Sequence, residues 1–109
     1  MTADPVPEVS SAALQAALAD PRLPVWLIHA TDRVAFGAGH IPGALACPDD
    51  ASLARLAGGI PVVVYGEDEH ARAAPALAAR LRAVGVEVAW FAGGLVAWAA
   101  AGLPVESSG

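Results

Sequence analysis

Val62-Val63-Val64-Tyr65-Gly66-Glu67-Asp68-Glu69-His70-Ala71-Arg72 decides how the chain is read. The apolar run from Ile60 to Tyr65 is short and uninterrupted, the pattern of a strand buried on both faces. The Ala-rich stretch from Ala71 to about Val84 repeats Ala74, Leu77, Ala78 and Leu81 at helical spacing and stops at Gly85. Together they describe a strand turning sharply into a helix N-terminus, the build of a catalytic elbow. Gly66 holds the first position of that turn, so a nucleophile is missing where one would stand.

The same alternation continues in both directions. Ser10 or Ser11 caps a first helix with Ala13, Leu14, Ala17 and Leu18 on one side, and Asp20-Pro21 stops it. Val25 to Ile28 reads as a buried strand, Val34 to Gly37 as a short helix and Ala44 to Ala46 as a short edge strand. Asp50 caps a helix through Ser52 to Leu56 that Gly58-Gly59 terminates. After the elbow helix come a strand from Val86 to Phe91 and a last helix before Gly102. Uniformly apolar strands separated by helices predict an α/β sandwich of three layers, a mainly parallel five-stranded sheet covered on both faces. Residues 1–109 form one domain with its core over about 9–105.

Composition narrows the partners. Net charge is −5, and the six basic residues are all arginine, spread from Arg22 to Arg82 without a cluster, which argues against nucleic acid. The uncharged stretch Val88 to Val105 is broken by Gly93-Gly94, Gly102 and Pro104, so it reads as strand, turn and helix, not as a membrane span. A lone cysteine, Cys47, makes no internal bridge, and the polar, proline-spaced start lacks the pattern of a signal peptide; both point to the cytoplasm. Absence of lysine and asparagine beside abundant Ala, Gly, Val, Pro and Arg suggests a GC-rich bacterial genome.

Three stretches carry a family resemblance. Gly39-His40-Ile41-Pro42-Gly43-Ala44, then Ala92-Gly93-Gly94-Leu95-Val96-Ala97-Trp98, then Ala101-Gly102-Leu103-Pro104-Val105, in this order and spacing, resemble the GHIPGA signature and the closing GG-x-x-x-W and GLP pattern of rhodanese-like domains. The resemblance covers roughly Val9 to Val105. It implies the small parallel-sheet sandwich already expected, and an activity that moves sulfane sulfur from a donor such as thiosulfate to a thiophilic acceptor through a cysteine persulfide.

The departures from that pattern fall on the chemistry. The family's strand end resembles L-[IL]-D-V-R, whereas here Leu27-Ile28-His29-Ala30-Thr31 lacks both charged groups. The family's loop opens with cysteine and closes on an anion; here Gly66 is followed by Glu67, Asp68 and Glu69. Amides converging at a helix N-terminus favour an anion or thiolate, and three carboxylates oppose it. They read as a solvated turn that caps the helix, with a dedicated cation site as the alternative.

In open sheets of this kind ligands sit at the C-terminal strand ends, so His29-Ala30, Cys47 and the loop lie on the functional edge. The candidate binding loop is Gly66, Glu67, Asp68, Glu69, His70, Ala71 and Arg72, together with His29. His29 is either a packed strand-end residue or a proton carrier facing Gly66. His40 is expected to bond backbone near the Pro42-Gly43 turn. No ligand spacing joins His29, His40 and His70, so no metal is expected, and the resemblance calls for no cofactor. Trp26, Trp90 and Trp98 read as core or near-core.

Two functions follow from these residues. In one, the chain is a rhodanese-like module without sulfurtransferase activity that binds a protein or small molecule at the loop edge or plays a regulatory part. In the other, it is a divergent sulfurtransferase that uses Cys47 or a partner's thiol. The empty nucleophile position favours the first.

Overall fold

The computed structural model describes residues 6–20, 22, 24–31, 33–46 and 59–107. Its centre is a parallel sheet of β1 (Trp26–His29), β2 (Leu45–Ala46), β3 (Val62–Tyr65) and β4 (Val88–Phe91) in the order β2-β1-β3-β4. Around it pack α1 (Ser11–Ala19), α2 (Arg33–Ala38), α3 (Ala73–Ala83) and α4 (Gly94–Ala100). The expected helix over Asp50 to Leu56 and the expected position of Cys47 lie outside the described residues.

Period-two alternation along the strands makes two cores. Ile28, Val62, Val64 and Val88 face α3, whose Ala74, Leu77, Ala78 and Leu81 are all buried against them. Leu27, Val63, Tyr65 and Phe91 face the other way, onto Leu14 of α1, Phe36 of α2 and Trp98 of α4. All of β3 is buried, as the unbroken apolar run requires. Trp26 and Trp90 are half-buried against the α3 side and Trp98 lies in the opposite core.

Among the described residues four strands stand where five were expected. The outer place beside β4 is taken by a single parallel bridge between Glu8 and Trp90, with Val9 N–H donating to Trp90 O at 3.0 Å and Trp90 N–H to Pro7 O at 2.8 Å. Extending this ladder needs a donor at residue 7, and proline has none. The segment therefore seals the edge without becoming a strand.

The caps follow from local chemistry. Ser10 Oγ accepts from Ala13 N–H at the start of α1. Pro75 is tolerated in the first turn of α3, where amides have no intrahelical partner. At the other end Gly85 takes φ +90°, and Val86 N–H reaches back to Leu81 O while Gly85 N–H reaches Arg82 O, a Schellman stop. α3 begins at Ala73, two residues later than the periodicity predicts, after a turn in which Ala71 N–H donates to Asp68 O. Among the described residues no helix is long and apolar enough to cross a membrane.

Candidate functional site

Parallel register brings the C-terminal ends of β1, β2 and β3 to one edge, with His29 opposite Ala46 on one side and Tyr65 on the other. The chain leaves β3 through Gly66 and bends over that edge to Arg72 before entering α3. His29 and the loop are thus neighbours, as the sequence predicts.

His29 is fully buried. Its ring stacks on Tyr65 with centroids 4.3 Å apart, and Phe36 lies tilted at 5.9 Å on the way to His40, on which Phe36 stacks at 4.1 Å. Nε2 of His29 lies 3.0 Å from Glu67 Oε1, but without the direction of a hydrogen bond, and Nδ1 has no hydrogen-bond partner among the described residues. Burial first, and the nearby charge of His40 second, push the imidazole down to about 4. A carboxylate beside it favours the charged ring. Complete burial outweighs that attraction, so the contact is a neutral imidazole beside a carboxylate and not an ion pair at neutral pH. His29 is packed at the strand end, and it meets Glu67, not the backbone of Gly66.

Tyr65 was absent from the sequence reading of the site, yet it holds the edge together. Its Oη accepts the Ile41 N–H at 2.9 Å, tying the loop strand to the Gly39–Ala44 turn. Burial pushes the phenol well above its ordinary value, so it stays protonated. That turn has Pro42 followed by Gly43 at φ +87°, with Ala44 N–H donating to Ile41 O at 3.0 Å, as a type II turn requires. His40 bonds the Phe36 carbonyl through Nδ1 at 2.9 Å, not the Pro42-Gly43 backbone, because stacking on Phe36 one helical turn earlier aims the ring there.

The acidic residues do not cap α3 as expected. Asp68 Oδ1 accepts the His70 N–H at 2.9 Å and its carbonyl accepts the Ala71 N–H at 3.2 Å, so the loop closes on itself. Arg72 is the N-cap of α3, with no side-chain capping bond. Glu69 and His70 are exposed and lie 3.6 Å apart, and Glu67 is half-exposed with one oxygen turned toward His29.

Gly66 is buried, and the space in front of it is filled: a Cβ built there meets Ala71 Cβ at 2.6 Å. Gly94 allows α4 to lie against the loop, since a Cβ there would meet Gly66 O at 2.5 Å. Leu95 N–H then donates to Gly66 O and Val96 N–H to Glu67 O, at 3.0 and 2.9 Å. The amides that open α4 therefore serve the loop's carbonyls. Gly94 was legible only as part of a closing turn; its close approach to the loop is tertiary. Among the described residues no three potential ligand side chains converge as a metal site would need.

The rhodanese-like domain family matches residues 10–101. No curated protein matches the chain. Among solved structures it is similar to the BH2092 protein from Bacillus halodurans, at 22% identity and a TM-score of 0.84 over 93% of this chain and 77% of that one. It is similar to the rhodanese-like domain of the Alr3790 protein from Anabaena, at 28% identity and a TM-score of 0.74 over 93% and 79%. It is also similar to the thiosulfate sulfurtransferase from Pseudomonas aeruginosa, at 22% identity and a TM-score of 0.79 over 95% of this chain but 21% of that one. This chain spans about a fifth of that enzyme, and what it shares with it is the fold.

Proposed function

The chain belongs to the rhodanese-like domain family, and from that premise we propose that it acts as a cytoplasmic binding or regulatory module without sulfurtransferase activity, its contact edge formed by the 66–72 loop and the segment packed on it. The observation that carries this reading is the filled space at Gly66. Persulfide chemistry needs a thiol at the turn and free amides to stabilise its anion. Here residue 66 has no side chain, the Ala71 methyl group occupies the place of one, and Asp68 takes the His70 and Ala71 amides. An anionic donor also meets Glu67, Asp68 and Glu69.

The test is thiosulfate:cyanide sulfur transfer, followed by cyanolysis of any persulfide. The purified chain is expected to give the same background as its Cys47→Ala variant. Turnover that disappears on Cys47→Ala overturns the reading in favour of a divergent sulfurtransferase working through that thiol.

A further inference from the structure

We propose that the acid-rimmed groove between the 66–72 loop and α4 docks an arginine-bearing segment of a partner protein, an inference that rests on the binding role proposed above and names the partner's chemistry. The groove encloses about 390 Å³ and is lined by Asp68, Glu69, His70, Gly93, Val96 and Ala97. That volume falls within the range of ligand pockets. Its walls are set before anything enters, because the Leu95 and Val96 amides are bonded to the Gly66 and Glu67 carbonyls and Gly94 permits the close approach.

Two chemistries meet in it. Val96 is 61% exposed and continues into Gly93 and Ala97 as an apolar wall. Asp68 and Glu69 form a negative rim on the other side. An anion finds no donors from the His70 and Ala71 amides, which Asp68 already holds, and a net charge of −5 repels it. A bare metal ion finds no ligand cluster among the described residues. The fitting group is a cation on an apolar stem.

Arginine supplies both. Its guanidinium fork pairs with carboxylates, and its methylenes lie along apolar surface while the head stays in water. Arg72, which follows the loop in sequence, is not among the residues lining the groove. A protein segment, unlike a free amine, also brings a flanking apolar residue to cover the exposed face of Val96.

The experiment titrates ¹⁵N-labelled protein with the acetylated, amidated peptide Gly-Ser-Leu-Arg-Leu-Ser-Gly, with the same peptide carrying glutamate for arginine, and with spermidine. The expected result is amide shifts at His70, Gly93, Val96 and Ala97 with the arginine peptide, weakened by sodium chloride and absent with the glutamate peptide. Asp68→Asn keeps the acceptor for the His70 amide, and it and Glu69→Gln should each weaken binding by about two- to fivefold, the worth of an exposed ion pair. Val96→Arg, at an exposed position that leaves the core intact, should abolish it by placing a tethered guanidinium in the groove. Equal shifts from the glutamate peptide or from spermidine, shifts centred elsewhere, or no shift at all overturn the inference. If the peptide fails while sulfur transfer stays at background, this docking site alone falls; if sulfur transfer is positive, the binding-module reading falls whatever the peptide does.

Discussion

In the Gly39–Ala44 turn, His40 exchanges two backbone hydrogen bonds with Glu106, each 2.8 Å, and the Ile41 amide is held by Tyr65 Oη. In the 66–72 loop the amides of His70 and Ala71 turn back onto Asp68, two and three residues away. The first turn joins segments distant in sequence, and it keeps the family's residues, as does the Trp98 to Val105 stretch beside it. In the second, the amides of His70 and Ala71 are closed locally, while the Gly66 and Glu67 carbonyls accept from Leu95 and Val96 of α4. A residue that ties distant parts of the chain together cannot change without cost to the fold. A loop whose side chains bond near neighbours, as Asp68 does, can change its chemistry while the scaffold stands, and here that loop carries an acidic rim.

The strongest test of this contrast is Trp98→Ala. Trp98 is buried, packs edge-on against Phe91 at 6.3 Å, and donates from Nε1 to Pro104 O at 2.7 Å, so one side chain fills the core and anchors the closing segment. Truncating a buried tryptophan costs about 3–5 kcal/mol. Urea unfolding should show a loss of that size, a large part of the stability of a domain this small. A loss below about 1 kcal/mol, within the range of ordinary surface changes and mild core swaps, would break the distinction between scaffold and loop.

His29 sits where the two regions meet and gives a pH-dependent effect of similar size. The unfolded ring takes up its proton near the ordinary 6.5, the folded ring only near 4. Below pH 6.5 the unfolded state therefore binds the extra proton and stability falls, levelling off once the pH passes about 4. The difference amounts to about 3 kcal/mol. Denaturant titrations across this window should show wild type losing stability relative to His29→Gln, which has no ring to titrate. Parallel curves for the two proteins would mean that the Glu67 carboxylate 3.0 Å away offsets burial and leaves the ring unshifted.

Much of this scaffold was legible because it is written in periodicity and in turn chemistry. The unbroken apolar run of β3, the helical spacing of Ala74, Leu77, Ala78 and Leu81, the stop at Gly85 and the Pro42-Gly43 turn all depend on near neighbours. The expected fifth strand had no stretch of its own in the sequence, and beside β4 Pro7 lacks the donor that would extend the Glu8–Trp90 bridge into a ladder. At the site, the loop and His29 were found as neighbours, but their contacts were not readable. That His29 stacks on Tyr65 depends on the register of β1 against β3, and that Gly66 faces the Ala71 methyl depends on how Asp68 folds the loop. Three carboxylates in a row look like helix caps in sequence; in space one closes the turn, one approaches a buried ring and one stays in water.

Gly66→Cys probes the smallest effect and the one closest to function. Restoring the family's nucleophile there puts a Cβ 2.6 Å from Ala71 Cβ, and that methyl cannot rotate away because it is fixed to the backbone. The loop must shift against the bonds from Leu95 and Val96 to its carbonyls, so the variant should be destabilised by about 1–3 kcal/mol, the usual cost of overpacking. Ala71→Gly on the same chain removes the clashing carbon and should recover most of that loss, apart from the entropy that glycine adds to the unfolded loop. Even the relaxed double variant, studied with Cys47→Ala so that one thiol remains, should react slowly with iodoacetamide at neutral pH, because Glu67, Asp68 and Glu69 disfavour a thiolate. Replacing those three with Gln, Asn and Gln should speed it. If Gly66→Cys alone is as stable as wild type and alkylates as fast as the charge-neutral form, then neither the Ala71 methyl nor the acidic rim guards that position, and the loop differs from an active one only in lacking sulfur.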